Sequence, residues 1–364
     1  MEEKFLALQG GIRPWWDIGE NKIVKVATLY LPQGCPDWGE KKGVRNDLCT
    51  FCSLPYAASN YREAFFGSTK QLAQSDHLDL FSQNFKDIAP PDANIHTLMV
   101  FNAGSFLADI ANAPETQDSI TRQVADHPTI KRFVIESRAE LVTDSALKRL
   151  TDILDPFKKK LTIRIGVETQ NDDLRIKVLR KGHSRKQLHK ASELMKKYNV
   201  DSGGYVLINP APANDIRKII NLQATDDEVM EWVKNEAHET LEWILGSGPD
   251  QLGMSEAYFC STNVGPGTPL TKSWDNGDFR PASLWMVLQV LRKALKSFSG
   301  RVHLLPFKDE PALLAVPSNH IPKGIAQDLS NASGCDLEFH NMLNRYRETL
   351  DPNVLIPPTC NCMP

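Results

Sequence analysis

No apolar run in the 364-residue chain approaches the roughly 18 residues that a spanning helix needs, and the opening MEEKFLALQGGIRPWWDIGE is acidic and broken by glycine and proline. A cytoplasmic protein with no membrane partner is expected. Excess positive charge is lacking too, since 42 Lys and Arg stand against 45 Asp and Glu for a net charge of −3. Global attraction to phosphate is therefore excluded, and a nucleic-acid partner has to be held by a local patch or through a second subunit. There is no short-period repeat and no low-complexity tract. Nor do the cysteines pair off: the seven stand at 35, 49, 52, 260, 335, 360 and 362. An odd, unevenly clustered set argues against a disulfide scaffold and for metal ligation in a reducing compartment.

What is present is an alternation of short β-branched runs with longer helical patterns, the signature of a parallel sheet in an α/β protein. Strands are predicted at 23–31, 95–101, 132–136, 161–168, 204–209, 251–259 and 301–307, each followed by polar or Gly-rich residues. Ser184 precedes a helical run, and Asp226 opens another whose Val229, Trp232 and Val233 share a face. Six or seven such units predict an open or closed β/α barrel over 23–307, with 1–22 as an N-terminal segment. Residues 308–364, punctuated by prolines, read as a C-terminal extension.

The chemistry centres on Gly34-Cys35-Pro36 and Cys49-Thr50-Phe51-Cys52, directly after the first predicted strand, with the spacing C-x13-C-x2-C. Thiolates hold iron–sulfur clusters, and two cysteines separated by two residues can curl toward one inorganic core while a glycine-containing loop returns a third. Three ligands on a four-iron cluster leave one iron open. The competing reading is a structural zinc site, which needs a fourth ligand such as Cys260 or a distant cysteine.

A three-cysteine loop after the first strand of a β/α barrel resembles the radical S-adenosylmethionine superfamily. Its long first gap resembles the branch that contains the tRNA-modifying enzymes related to the elongator catalytic subunit. The resemblance implies a partial TIM-type (β/α)6 radical SAM barrel with a C-terminal extension, in which the open iron of a [4Fe-4S] cluster on Cys35, Cys49 and Cys52 chelates S-adenosyl-L-methionine. It further implies that Phe51 packs near the adenine.

Working residues of β/α barrels sit at the C-terminal ends of strands. The second predicted strand ends in Phe101-Asn102-Ala103-Gly104-Ser105, similar to the superfamily's Gly-rich segment that meets the cofactor's amino group, with Asn102 or Ser105 as the polar contact and Gly104 allowing close backbone approach. The third ends in Glu136-Ser137-Arg138-Ala139-Glu140; Glu136 and Arg138 suit an amino-acid moiety, or form a plain ion pair at the barrel mouth. Glu168 and Gln170, after the fourth, match the family's segment for the ribose and methionine portions.

Lys181 in Arg180-Lys181-Gly182-His183, Asn209 in Ile208-Asn209-Pro210, and Arg280 in Phe279-Arg280-Pro281 are candidate substrate contacts. Taken together, these motifs resemble the archaeosine-forming radical enzymes, those of the archaeosine synthase β-subunit type, over about residues 25 to 295.

Between Arg175 and Lys197 lie nine Lys or Arg and one acid, Glu193, either a solvated helix surface or a phosphate-binding one. Cys335, Cys360 and Cys362 form a partial ligand set for a second metal site, or else free thiols near the chain end. Cys260 reads as a small buried hydrophobe. Trp15, Trp16 and Trp285 read as packing residues, the last at the head of a stripe with Val287, Leu288 and Leu291.

The resemblance thus implies an oxygen-sensitive enzyme whose reduced cluster, fed by an external electron donor, cleaves S-adenosylmethionine to methionine and a 5′-deoxyadenosyl radical. Its first-choice substrate is a lysine-modified 7-deazaguanine in tRNA, cleaved at a C–N bond to form archaeosine beside a partner synthase subunit. One rival is a radical enzyme acting on a small molecule or peptide. Another is a non-catalytic metal-cluster module that binds RNA.

Overall fold

The computed structural model describes residues 9–35, 49–306, 313–319 and 334–359. They form two compact units, one drawn from Met1–Asp47, Leu54–Gly166 and Lys186–Gly203, the other from Leu48–Ser53, Val167–Arg185 and Gly204–Pro364. The chain passes between them within two of its strands.

The first unit carries β1 (Gln9–Asp17), β2 (Lys22–Tyr30), β3 (Thr97–Phe101), β4 (Arg132–Ser137) and most of β5 (Lys160–Glu168), adjacent in chain order. β1 runs antiparallel to β2, and the pairs from β2 to β5 are parallel. Its helices are α1 (Leu54–Phe66), α2 (Gln74–Ile88), α3 (Pro114–Asp126), α4 (Asp144–Leu154) and nearly all of α5 (Arg185–Lys197). Every residue of β3 is buried, as a parallel strand covered on both faces requires.

The second unit continues with β6 (Asp201–Ile208), α6 (Ala213–Ile220), α7 (Asp226–Leu245), β7 (Glu256–Ser261), α8 (Pro269–Asp275), α9 (Leu284–Phe298), β8 (Val302–Leu304) and α10 (Cys335–Thr349). Here too strand order follows chain order, and β7 pairs with β8 in parallel. Sequential parallel strands separated by helices are the topology of a TIM-type α/β fold, as the sequence predicts.

All seven expected strands form, with shifted ends. The run 251–259 becomes a strand only from Glu256, because Leu252 and Met254 instead donate their N–H groups to Trp243 O and Ile244 O near the end of α7. β8 shrinks to three residues. An eighth strand, β1, lies inside the segment 1–22, where Gly10, Gly11 and Pro14 hide its pattern. An antiparallel edge strand tolerates proline, whose missing N–H has no ladder partner to lose there. β1 is held by Trp15, buried with the Arg164 guanidinium 5.5 Å from its ring. Asp17, also buried, accepts from Arg132 Nε at 2.9 Å.

Thr225 caps α7 with a reciprocal Thr225–Glu228 capping box, just before the predicted Asp226. Trp285 is core, its ring 4.7 Å edge-on from Phe339 of α10. Tyr346 of the same helix donates to Val302 O at 2.5 Å, which fastens α10 to β8.

Candidate functional site

The cysteine motif is built from the loops that follow strands. In the first unit, β2 ends at Tyr30 and Leu31 N donates to Phe101 O, so the chain leaves the sheet beside the end of β3. Gly34 N donates to Asn102 O at 3.1 Å, and Gly34 adopts φ +88°, a left-handed conformation open to glycine at no steric cost. Gly104 faces this segment so closely that a Cβ on it would lie 2.5 Å from Gly34 O and 2.6 Å from Cys35 Cα. Backbone meets backbone there, and only glycine fits. Cys35 is half-buried at the end of this seat.

Around it stand the other residues expected at the cofactor. Asn102 is fully buried, and neither its amide oxygen nor its nitrogen has a hydrogen-bond partner. Ser105 Oγ accepts from Arg138 N at 2.9 Å, and Phe106 N donates to Glu136 O at 2.8 Å, so the ends of β3 and β4 are tied together. The Arg138 guanidinium forms an ion pair with Glu140.

In the second unit, Cys49 and Cys52 close a turn through Cys52 N to Cys49 O at 3.3 Å. The turn is pinned from two directions: Thr50 N donates to Leu179 O at 3.1 Å, and Leu270 N of α8 donates to Thr50 O at 3.1 Å. Phe51 packs against Val264, Leu270, Trp274, Phe279 and Ala315, which seats the intervening aromatic in an apolar cluster. Gly265 completes the seat, since a Cβ on it would lie 2.5 Å from Ser53 Oγ.

Lys181 reaches this turn. Its ammonium donates to Glu168 Oε1 at 2.6 Å and lies 5.7 Å from the Phe51 ring centroid. Burial pushes the Lys181 ammonium down, but the charge of Glu168 foremost, together with Cys49 and Cys52, outweighs it, and its proton is held above the usual lysine range. Glu168 is itself buried and sits at φ +67° at the end of β5. Ala103 at φ +50° and Asn209 at φ +55° make the same left-handed exit from β3 and β6. Such conformations cost energy in residues with a side chain and cluster at functional sites.

The residues after Glu168 are fastened by a carboxylate that sequence reasoning missed. Glu236, buried on α7, accepts from Thr169 Oγ1, from Asn171 N at 3.1 Å and from Gln170 Nε2 at 3.3 Å. Burial raises its proton affinity, and these hydrogen bonds oppose the rise. Gln170 Oε1 accepts from Arg185 Nη1 at 2.7 Å, so its amide is engaged at both ends. An acidic residue on the apolar face of a predicted amphipathic helix was the available signal.

Asn209 and Arg280 come together, with Asn209 Nδ2 donating to Arg280 O at 2.8 Å. The basic run from 175 to 197 is not one surface. Arg175 is fully buried in a π-helical turn (Asp173–Val178) and donates to Thr169 O and His183 O. Arg185 lies over the Trp243 ring at 4.3 Å, and Lys181 points at the cysteine turn. Cys335 opens α10 with Asn319 Nδ2 4.0 Å from its sulfur, and burial pushes its thiol up. Cys360 and Cys362 lie outside the described residues. Cys260 is half-buried, its thiol toward Tyr258 O.

Thiols are the donor chemistry of iron–sulfur clusters: in one unit paired thiols are faced by a buried cation, and in the other a thiol sits on a backbone cradle beside a segment with an orphaned amide. Among the described residues, no three His, Cys, Asp or Glu side chains gather as a ready-made metal group, and no helix is long and apolar enough to cross a membrane.

No family model matches the chain. Among curated proteins it is similar to an uncharacterised protein of Methanocaldococcus jannaschii, with 25% identity over 287 residues, 78% of this chain and 67% of that one. It is also similar to the archaeosine synthase subunit beta of Methanosarcina acetivorans, with 22% identity over 93% of this chain and 82% of the relative. The subunit beta of Thermococcus kodakarensis is 27% identical over 70% and 68%. Among solved structures, an N-terminally truncated Elp3 of Methanocaldococcus infernus superposes with a TM-score of 0.49 at 13% identity, over 74% of this chain and 58% of that chain. A queuine lyase of Clostridium spiroforme bound to SAM and queuine gives 0.44 at 15% identity, over 82% and 95%. The resemblance read from the motifs thus has named relatives over most of the chain.

Proposed function

We infer that this chain, an enzyme of the radical S-adenosylmethionine type related to the archaeosine synthase β subunits, carries a [4Fe-4S] cluster on Cys35, Cys49 and Cys52 and takes S-adenosylmethionine at the iron left open. When bound, the reduced cluster and the cofactor supply a 5′-deoxyadenosyl radical able to abstract a substrate hydrogen. The chain's own residues bind, orient and exclude water.

The observation that carries this reading is the convergence of Lys181, Glu168 and Phe51 on the Cys49–Cys52 turn. A buried ammonium beside two thiols offsets the negative charge of a thiolate-ligated cluster. Asn102 has both a donor and an acceptor to offer in a dry site, which suits the amino and carboxylate groups of the cofactor. Ser105, committed to Arg138 N, suits that role less. Asn209 and Arg280 stand as substrate contacts, with C–N cleavage of a lysine-modified 7-deazaguanine in tRNA as the reaction, and a partner synthase subunit and an external electron donor as partners. Three of the nine cations from Arg175 to Lys197 are turned inward. That favours a second subunit as the main grip on RNA and keeps a small-molecule or peptide substrate as the second reading.

Anaerobic reconstitution followed by electron paramagnetic resonance tests the core of it. A brown protein whose reduced-cluster spectrum changes on adding S-adenosylmethionine is expected; an unchanged spectrum sinks the reading. Incubation with modified tRNA and with small-molecule candidates then separates the substrate classes by 5′-deoxyadenosine formed above the uncoupled background.

A further inference from the structure

Arg62 lies on α1 in the first unit, 2% exposed, and its guanidinium contacts no carboxylate among the described residues. All its donors are aimed at backbone oxygens. Nη1 donates to Pro32 O and, at 3.1 Å, to Gln33 O; Nε and Nη2 donate to Thr69 O at 3.0 and 2.6 Å. The same Nη1 lies 3.4 Å from where a Cβ on Gly34 would stand. Gln33 is held as firmly, its Oε1 accepting from Leu72 N at 2.8 Å and its Nε2 donating to Ala111 O at 2.8 Å. The two peptides that lead into Gly34-Cys35 are thus clamped from α1 and from the loops at 72 and 111.

Neutral donors would satisfy these carbonyls. A guanidinium taken out of water with no counter-charge among the described residues bears its full desolvation cost, and burial draws its pKa below the ordinary arginine value. A negative charge bound nearby removes that cost. Cys35 follows two residues after the clamped Gln33, and a cluster thiolate there would bring such a charge.

We propose that Arg62 is a positioning residue for the first cluster thiolate, holding Cys35 through the carbonyls of Pro32 and Gln33 and supplying the cation that offsets the cluster's charge. This rests on the cluster reading of Cys35. Net charge near a cluster is one of the levers on its potential, and reduction adds an electron that a nearby cation favours. Arg62 therefore raises the reduction potential.

The test compares full-length Arg62→Lys and Arg62→Met with the parent, first as apo chains by circular dichroism, then after anaerobic reconstitution. Iron and sulfide per chain, the reduction potential by spectroscopic titration without cofactor, and the rate of iron loss to a chelator are measured. In Arg62→Met the reduced-to-oxidised ratio at fixed poise is expected to fall about tenfold, equivalent to about 59 mV for a one-electron couple. Arg62→Lys keeps the charge but not the fork, so it should restore the potential while losing iron several-fold faster than the parent. A Met variant with the parent's potential, or a Lys variant as low as the Met variant, overturns the charge role; iron loss at the parental rate in Arg62→Lys overturns the positioning role. If Arg62→Met does not fold, the Lys variant decides both: it is expected to hold the parent's potential and lose iron faster. A parent chain that takes up no cluster would instead refute the cluster reading itself.

Discussion

Lys181 and Glu168, thirteen residues apart, meet as a buried ion pair with Nζ 2.6 Å from Oε1, and the same ammonium faces the ring of Phe51 between the two paired cysteines. The pair joins the end of β5 to the Cys49–Cys52 turn, so its loss acts on two loops at once.

Breaking one side of a buried pair leaves an uncompensated charge, which typically costs about 3 kcal/mol or more. Glu168→Gln should therefore destabilise the apo chain by about that amount in urea unfolding, and the double variant Glu168→Gln/Lys181→Met should be more stable than Glu168→Gln alone. A double variant as weak as the sum of the singles would show that the two residues are energetically independent.

Cys35→Ala, Cys49→Ala and Cys52→Ala should each abolish a stably bound four-iron cluster. Cys260→Ala should keep the parental iron and sulfide content, because the Cys260 thiol is directed at Tyr258 O on its own strand. Iron and sulfide assays after reconstitution check all four; a normal cluster in any of the first three variants removes that cysteine from the ligand set.

Gly104→Ala places a methyl group 2.5 Å from Gly34 O and 2.8 Å from Cys35 N, where the opposing atoms are backbone and cannot swing aside. Overpacking of this kind costs about 1–3 kcal/mol, and the strain falls on the Cys35 segment. Cluster occupancy should drop while most of the secondary structure seen by circular dichroism remains. Full occupancy with parental stability would mean that the cradle yields more easily than its geometry implies.

Acid should destabilise the chain well before its carboxylates titrate. His77 in the first unit and His340 in the second are each drawn down by burial from the ordinary 6.5 to about 4. Below pH 6.5 the unfolded chain takes up these protons and the folded chain does not, so stability is lost as pH falls from about 6.5 toward 4. Each histidine contributes about 2 kcal/mol of loss between pH 7.5 and 5. Urea midpoints at those two pH values, for the parent and for His77→Asn, measure it; an equal drop in both would exclude His77 as a source.

The strand runs were legible because burial on both faces forces near-continuous apolar sequence, as in Thr97–Phe101 and Leu161–Val167. β1 was not, because an edge strand need not be apolar throughout and its Gly and Pro read as a break. Gly104 was legible as a close-approach glycine from residue type and order. Arg62 carried no such mark, being one charged residue in a helix whose burial depends on what packs against it, and Glu236 carried only its place on an apolar helix face. Arg175 misled for the same reason: in sequence it belongs to a basic run, and in space it is fully buried.

By itself the sequence determined the α/β alternation, the positions of the strand-end loops and the three thiols with their spacing, all properties of residue type over short separations. Tertiary structure decided which charges pair, that Lys181 reaches the cysteine turn, that Gln170 is drawn into the Glu236 network, and that Arg62 holds the carbonyls of Pro32 and Gln33. Those are contacts between residues distant along the chain, and their energies depend on burial, which no local pattern encodes.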